Sequence, residues 1–117
     1  MAVGNWDEFI HQTDRRMADI RKGVPSVAKG FAELAKAAIA PGALDSKTKE
    51  LIALAIGITA RCDGCLAYHV KAAIRCGASR QEILETIGVA VYMGGGPSMI
   101  YGAETLAAYD ALWAETG

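Results

Sequence analysis

Ten residues without a charge, Leu51 to Ala60 (LIALAIGITA), are apolar on almost every side when wound into a helix. A helix of that kind cannot face water on any side and belongs at the centre of a bundle or in an interface. At ten residues it is too short to span a bilayer, and a second uncharged stretch, Thr86 to Ala103, is broken by Gly-Gly-Gly-Pro. The remaining chain has to wrap this helix, and its punctuation shows how. Asn5 can cap a first helix running to about Lys22, which Gly23-Val-Pro25 ends. A second helix is expected from about Ser26 to Ala40, with Val27, Phe31, Leu34, Ala35 and Ala38 at helical spacing, stopped by Pro41-Gly42. Asp45 or Ser46 starts the central helix, and a fourth is expected from close to Cys62 to Cys76, before Gly77. Ser79 and Glu82 form a capping box for a fifth helix to about Met93, and Pro97 opens a sixth reaching about Glu115.

No alternating strand pattern of useful length and no internal repeat interrupts this series. The expected fold is therefore all-α, about six helices forming a single domain over residues 1–117. Hydrophobic residues make up 52% of the chain, which for so small a protein suggests burial against further copies of itself. A net charge of −1, from 12 basic and 13 acidic residues without runs, excludes the basic stripe of a nucleic-acid binder or a membrane-surface helix. The start of the chain has no basic segment leading into an apolar one, so no signal peptide is expected. A reducing, cytoplasmic setting follows as the expectation, and there a CxxC pair is more often catalytic or metal-binding than structural.

The chain has one such pair, in Arg61-Cys-Asp-Gly-Cys-Leu-Ala-Tyr-His69. Cys62, Cys65 and His69 are three, four and seven residues apart and so share a helix face. His69, one turn beyond Cys65, can take its thiol proton; Cys62 lies near the helix N-terminus, where free N–H groups favour a thiolate. If the third and fourth helices form an antiparallel hairpin about residues 60–63, equal rises on both arms return Glu50 beside residues 69–74. A carboxylate at the edge of so apolar a run needs a partner, and His69 is the one available. Cys76 lies roughly 16 Å from Cys65 along the helix, too far to bridge, and is expected to be a small buried hydrophobe. His11 reads as a surface residue, Trp6, Met93 and Trp113 as core or interface, and Tyr68 and Tyr101 as pocket-lining or, the better reading, core.

Lys49 to Ile87 (KELIALAIGITARCDGCLAYHVKAAIRCGASRQEILETI) resembles the core of the AhpD-like, or carboxymuconolactone decarboxylase, superfamily. The resemblance rests on Glu50, the twelve-residue step to Cys62, the C-x-x-C-x-x-x-H block and the A-x-x-x-G-A-S-x-x-E-I continuation at Ala73–Ile83. It implies an all-helical domain assembled as a homo-oligomer, a trimer or a hexamer. It also implies a dithiol/disulfide cycle on a hydroperoxide or disulfide substrate, with no cofactor or metal and with an external dithiol as electron donor. Carried over by position, Cys65 would attack the peroxide, Cys62 would resolve the product, His69 would be the base and Glu50 would orient it. Where AhpD proteins carry a histidine immediately before the second cysteine, this chain has Gly64, so the expectation is the broader one of a thiol-dependent peroxidase or disulfide reductase. Two alternatives stand beside it: a lyase of the carboxymuconolactone decarboxylase type, whose members generally lack the CxxC pair, and a non-catalytic zinc-binding or oligomeric scaffold. A structural zinc would need four ligands, and the motif supplies three.

Overall fold

The computed structural model describes residues 3–116. Met1, Ala2 and Gly117, at the ends of the span expected as one domain, lie outside the described residues. Six helices follow one another, α1 (Trp6–Gly23), α2 (Pro25–Ile39), α3 (Ser46–Thr59), α4 (Asp63–Arg75), α5 (Arg80–Gly94) and α6 (Gly96–Thr116), and there is no strand among the described residues. The caps read from the sequence are in place. The Asn5 side chain accepts the Glu8 N–H at 2.9 Å, and the Asp45 carboxylate accepts the Thr48 N–H at 2.7 Å. Ser79 and Glu82 satisfy each other's backbone N–H groups, at 3.1 and 2.8 Å. Glu82 also meets Lys47 at 2.9 Å, which ties the start of α5 to the start of α3.

Helix α3 touches α2, α4, α5 and α6, but it is not enclosed on every side: Ile52 and Ile56 stand exposed on one face, because no element among the described residues covers it. Leu54 and Ile58 on α3, Leu66 and Val70 on α4 and Ile83 on α5 are wholly buried, and Trp6 and Ile10 bring α1 onto the same core. Helix α2 behaves differently. It touches only α1 and α3, none of its residues is buried, and Val27, Phe31 and Leu34 stand 66%, 71% and 64% exposed. A radius of gyration of 14.3 Å, against about 13 Å for a compact chain of this size, fits a helix held away from the bundle.

Two turns leave α3 and α4 by the same hydrogen-bond pattern. After α4, Gly77 takes a φ of 85°, its N–H donates to the Ile74 carbonyl at 3.0 Å, and the Ala78 N–H donates to Ala73 at 2.9 Å. After α3, Arg61 takes a φ of 58°, its N–H donates to Ile58 at 3.1 Å, and the Cys62 N–H donates to Gly57 at 3.1 Å. Both are Schellman endings, the first with the glycine such endings favour and the second with an arginine that has to bear the left-handed conformation.

The first of these turns also corrects the expectation for Cys76, which is exposed. Cys76 is the C-cap of α4, already off the helical stripe, and Ala78 beyond the turn fills the core position instead. Met93 and Trp113 are exposed too, at 71% and 53%, so of the two roles expected for them the core is removed.

Replacing Arg61 by glycine should relieve the left-handed backbone and raise stability by up to about 1 kcal/mol. The check is a denaturant midpoint that moves up at constant slope; a midpoint that falls would mean the arginine side chain makes a compensating interaction.

Candidate functional site

The hairpin of α3 and α4 pairs the four residues singled out in the sequence two by two, Glu50 with His69 and Cys62 with Cys65. Glu50, in the second turn of α3, is buried, and its Oε1 lies 2.7 Å from Nδ1 of His69 on α4. The counting of rises that placed Glu50 beside residues 69–74 is met at its first position. His69 keeps about a third of its side chain open to solvent while Glu50 keeps 9%. With Nδ1 committed to the carboxylate, Nε2 is the nitrogen left to exchange a proton with a thiol or a substrate.

Cys62 and Cys65 are bonded to each other, their Cα atoms 5.2 Å apart, and both are half-buried. Cys62 is the N-cap of α4, and its sulfur accepts the Cys65 N–H at 3.1 Å. A sulfur in that position faces the unpaired N–H groups and the positive end of the helix, the setting that favours a thiolate. His69 follows Cys65 by one turn of the same helix. Among the described residues no three of histidine, cysteine, aspartate and glutamate gather as ligands of a metal ion would. Nor, among them, is any helix long and apolar enough to cross a membrane.

Two features of the site were not read from the sequence. Gly57 of α3 lies directly against Cys65, and its only visible signal was a glycine standing alone inside an apolar helix. The other is Tyr68, the neighbour of His69. Its hydroxyl donates to the Asp14 carboxylate and lies 3.3 Å from the Ile10 carbonyl, fastening α1 to the outer side of α4. Nothing local in the sequence links positions 54 residues apart. His11, by contrast, is the expected surface residue, 3.5 Å from Asp7.

A sequence model of the carboxymuconolactone decarboxylase family matches residues 25–108. The helical hairpin carrying Glu50, the cysteine pair and His69 thus lies within an established class of all-α proteins. The chain belongs to the carboxymuconolactone decarboxylase family. Among its relatives are an uncharacterised protein of the cox locus of Paracoccus denitrificans, 39% identical over 91% of this chain and 96% of that one, and an uncharacterised protein of Cupriavidus necator, 34% identical over 88% and 91%. A solved family member from Legionella pneumophila superposes with a TM-score of 0.89 at 44% identity, covering 92% of this chain and 96% of that one. A second, from Thermotoga maritima, gives 0.81 at 29% identity over 92% of each chain and is described as a candidate participant in an antioxidative response.

The Tyr68 phenol is pushed up to about 12, first by burial and then by its hydrogen bond to Asp14 and the negative charge there. A folded-state value above the ordinary one near 10 means its stabilisation is complete below that pH and is lost as pH rises from about 10 to about 12. Thermal melts across that window should show stability falling, and Tyr68→Phe should flatten the fall, leaving the shares of Tyr109, which burial also raises, and of Lys47, which its hydrogen bond to Glu82 raises. An unaltered slope in Tyr68→Phe would detach the Tyr68–Asp14 contact from alkaline stability.

Proposed function

We propose that this chain is a thiol oxidoreductase, a thiol-dependent peroxidase or disulfide reductase that cycles Cys62 and Cys65 between dithiol and disulfide. The observation that carries the reading is the Glu50–His69 pair, 2.7 Å across, with His69 one helical turn beyond Cys65 on a helix whose N-cap is the other cysteine. Carboxylate, imidazole and thiol in that order are the parts of a proton relay that prepares a thiolate for attack. His69 takes the Cys65 proton, and the thiolate attacks a hydroperoxide oxygen. The O–O bond breaks, Cys65 becomes a sulfenic acid, and the departing alkoxide recovers a proton as the alcohol. Cys62 then displaces water from the sulfenic acid to close the disulfide, and an external dithiol returns both cysteines to thiols while becoming a disulfide itself. The antioxidative role suggested for the Thermotoga relative supports the same chemistry. The family takes its name from a lyase, but the cysteine pair favours thiol chemistry over lactone decarboxylation. A pair that has to be re-reduced also suits the cytoplasm, and the whole chain would act as one domain.

Rates of peroxide consumption with an organic hydroperoxide and a dithiol test the assignment of roles. Cys65→Ser should abolish turnover, and Cys62→Ser should consume peroxide once and stop as a sulfenic acid or a mixed disulfide. His69→Ala should slow the reaction by about a hundredfold, the size of a lost proton-transfer group. Full activity in Cys65→Ser would contradict the reading.

The reading includes assembly of several copies, as a trimer or a hexamer. Val27, Phe31 and Leu34 form an i, i+4, i+7 stripe on the protruding α2, the pattern of a helix made to lie in a groove. An apolar groove of about 370 Å³ runs between α3 and α5, lined by Ile52, Ile56, Val89 and Met93 among others, and α2 of the same chain does not touch α5. Seating the stripe of one copy in the groove of the next makes a head-to-tail contact, the kind that gives a ring when the rotation between copies closes. Phe31→Glu should reduce the particle to single chains by light scattering; an unchanged mass would reject this contact.

A further inference from the structure

Glycine in the interior of a helix costs about 1 kcal/mol relative to alanine, and Gly57 is buried in the last turn of α3. Its surroundings give the reason. A Cβ built on Gly57 would stand 2.9 Å from the Cβ of Cys65, closer than such atoms approach, and the next atoms it meets are the Cys65 backbone. No rotamer change relieves that contact, because a Cβ moves only with its main chain. The Gly57 carbonyl meanwhile accepts the Cys62 N–H at 3.1 Å. One residue therefore touches both cysteines, holding the first by its backbone and admitting the second by its lack of a side chain. Glu50 lies seven residues earlier, two turns back on the same face of α3, where it holds His69.

We propose that Gly57 is a positioning residue for the Cys62–Cys65 couple, setting the separation of α3 and α4 at which Cys65 can close on Cys62. The inference deepens the thiol-redox reading given above and rests on it. A methyl group at position 57 forces the first turn of α4 outward at Cys65. Cys62, just before that turn, stays tied to the end of α3 by its N–H. The two cysteines are drawn apart, and the disulfide loses ground to the dithiol. In exchange with dithiothreitol, two electrons and two protons pass to Cys62 and Cys65 and the reagent closes to its cyclic disulfide, so the equilibrium constant reads this effect without any peroxide.

The experiment equilibrates the wild type, Gly57→Ala and Gly88→Ala in dithiothreitol redox buffers and counts alkylated Cys62 and Cys65 by peptide mass. Gly88 is the control, a helical glycine with nothing near its Cβ position. Gly57→Ala should shift the equilibrium toward the dithiol by about tenfold, or about 30 mV for a two-electron couple, while Gly88→Ala leaves it in place. A Gly57→Ala protein that melts at a lower temperature but keeps the wild-type equilibrium would reduce Gly57 to packing alone and overturn the proposal. If Gly57→Ala does not fold, Gly57→Ala/Cys65→Gly, which removes the opposing Cβ, should regain the helical circular-dichroism signal; failure to regain it overturns the proposal as well. A wild type that exchanges with dithiothreitol yet ignores hydroperoxides would count against the peroxidase reading and leave Gly57 to be judged on the exchange.

Discussion

A buried carboxylate on α3, at the start of that helix's uncharged run, is the constraint around which the rest is arranged. Glu50 has nearly all of its side chain out of water, and leaving it unpaired there would cost several kcal/mol. His69 removes that cost, and it can do so only if α4 runs back along α3 in one register, with the turn at residues 60–62. The same register delivers Cys65 to Gly57 at the other end of the hairpin. The Glu50–His69 hydrogen bond and the glycine contact are thus two ends of one alignment. His69 serves both sides of it, with Nδ1 on the buried acid and the rest of the ring reaching solvent.

The turn between those ends is where the chain accepts strain. Two Schellman endings with matching hydrogen bonds differ in the residue placed at positive φ, Gly77 after α4 and Arg61 before the cysteines. Non-glycine residues in that conformation are uncommon and tend to occur at functional positions. Here the strained residue immediately precedes Cys62, the N-cap of α4. A turn so placed does two jobs, ending the central helix and presenting the first cysteine at the positive end of the next one. Helix α2 contributes no buried residue to this core, and its apolar stripe of Val27, Phe31 and Leu34 is exposed.

Much of this was legible in the sequence because its signals are local. Asn5, Asp45, Ser79 with Glu82, and Gly77 each act within one turn of where they stand, so their roles can be read without knowing the fold. Glu50 and His69, nineteen residues apart, were within reach of counting because a short turn between two helices leaves little freedom in how they align. Cys76 was misread because burial at a helix end depends on where the helical stripe stops, and one residue decides it. The Tyr68–Asp14 contact and the exposure of α2 depend on how distant elements pack, which no spacing reports. Gly57 is intermediate: its place inside an apolar helix is visible in the sequence, but only the fold shows which atom requires the missing side chain.

The most direct test of the central claim is peptide mass spectrometry of the reduced wild-type protein, alkylated before and after one equivalent of cumene hydroperoxide. The account predicts that the peroxide is consumed and that Cys62 and Cys65 pass from two alkylated thiols to one intramolecular disulfide, with Cys76 alkylated throughout. Cysteines that remain fully alkylated while the peroxide persists would contradict it.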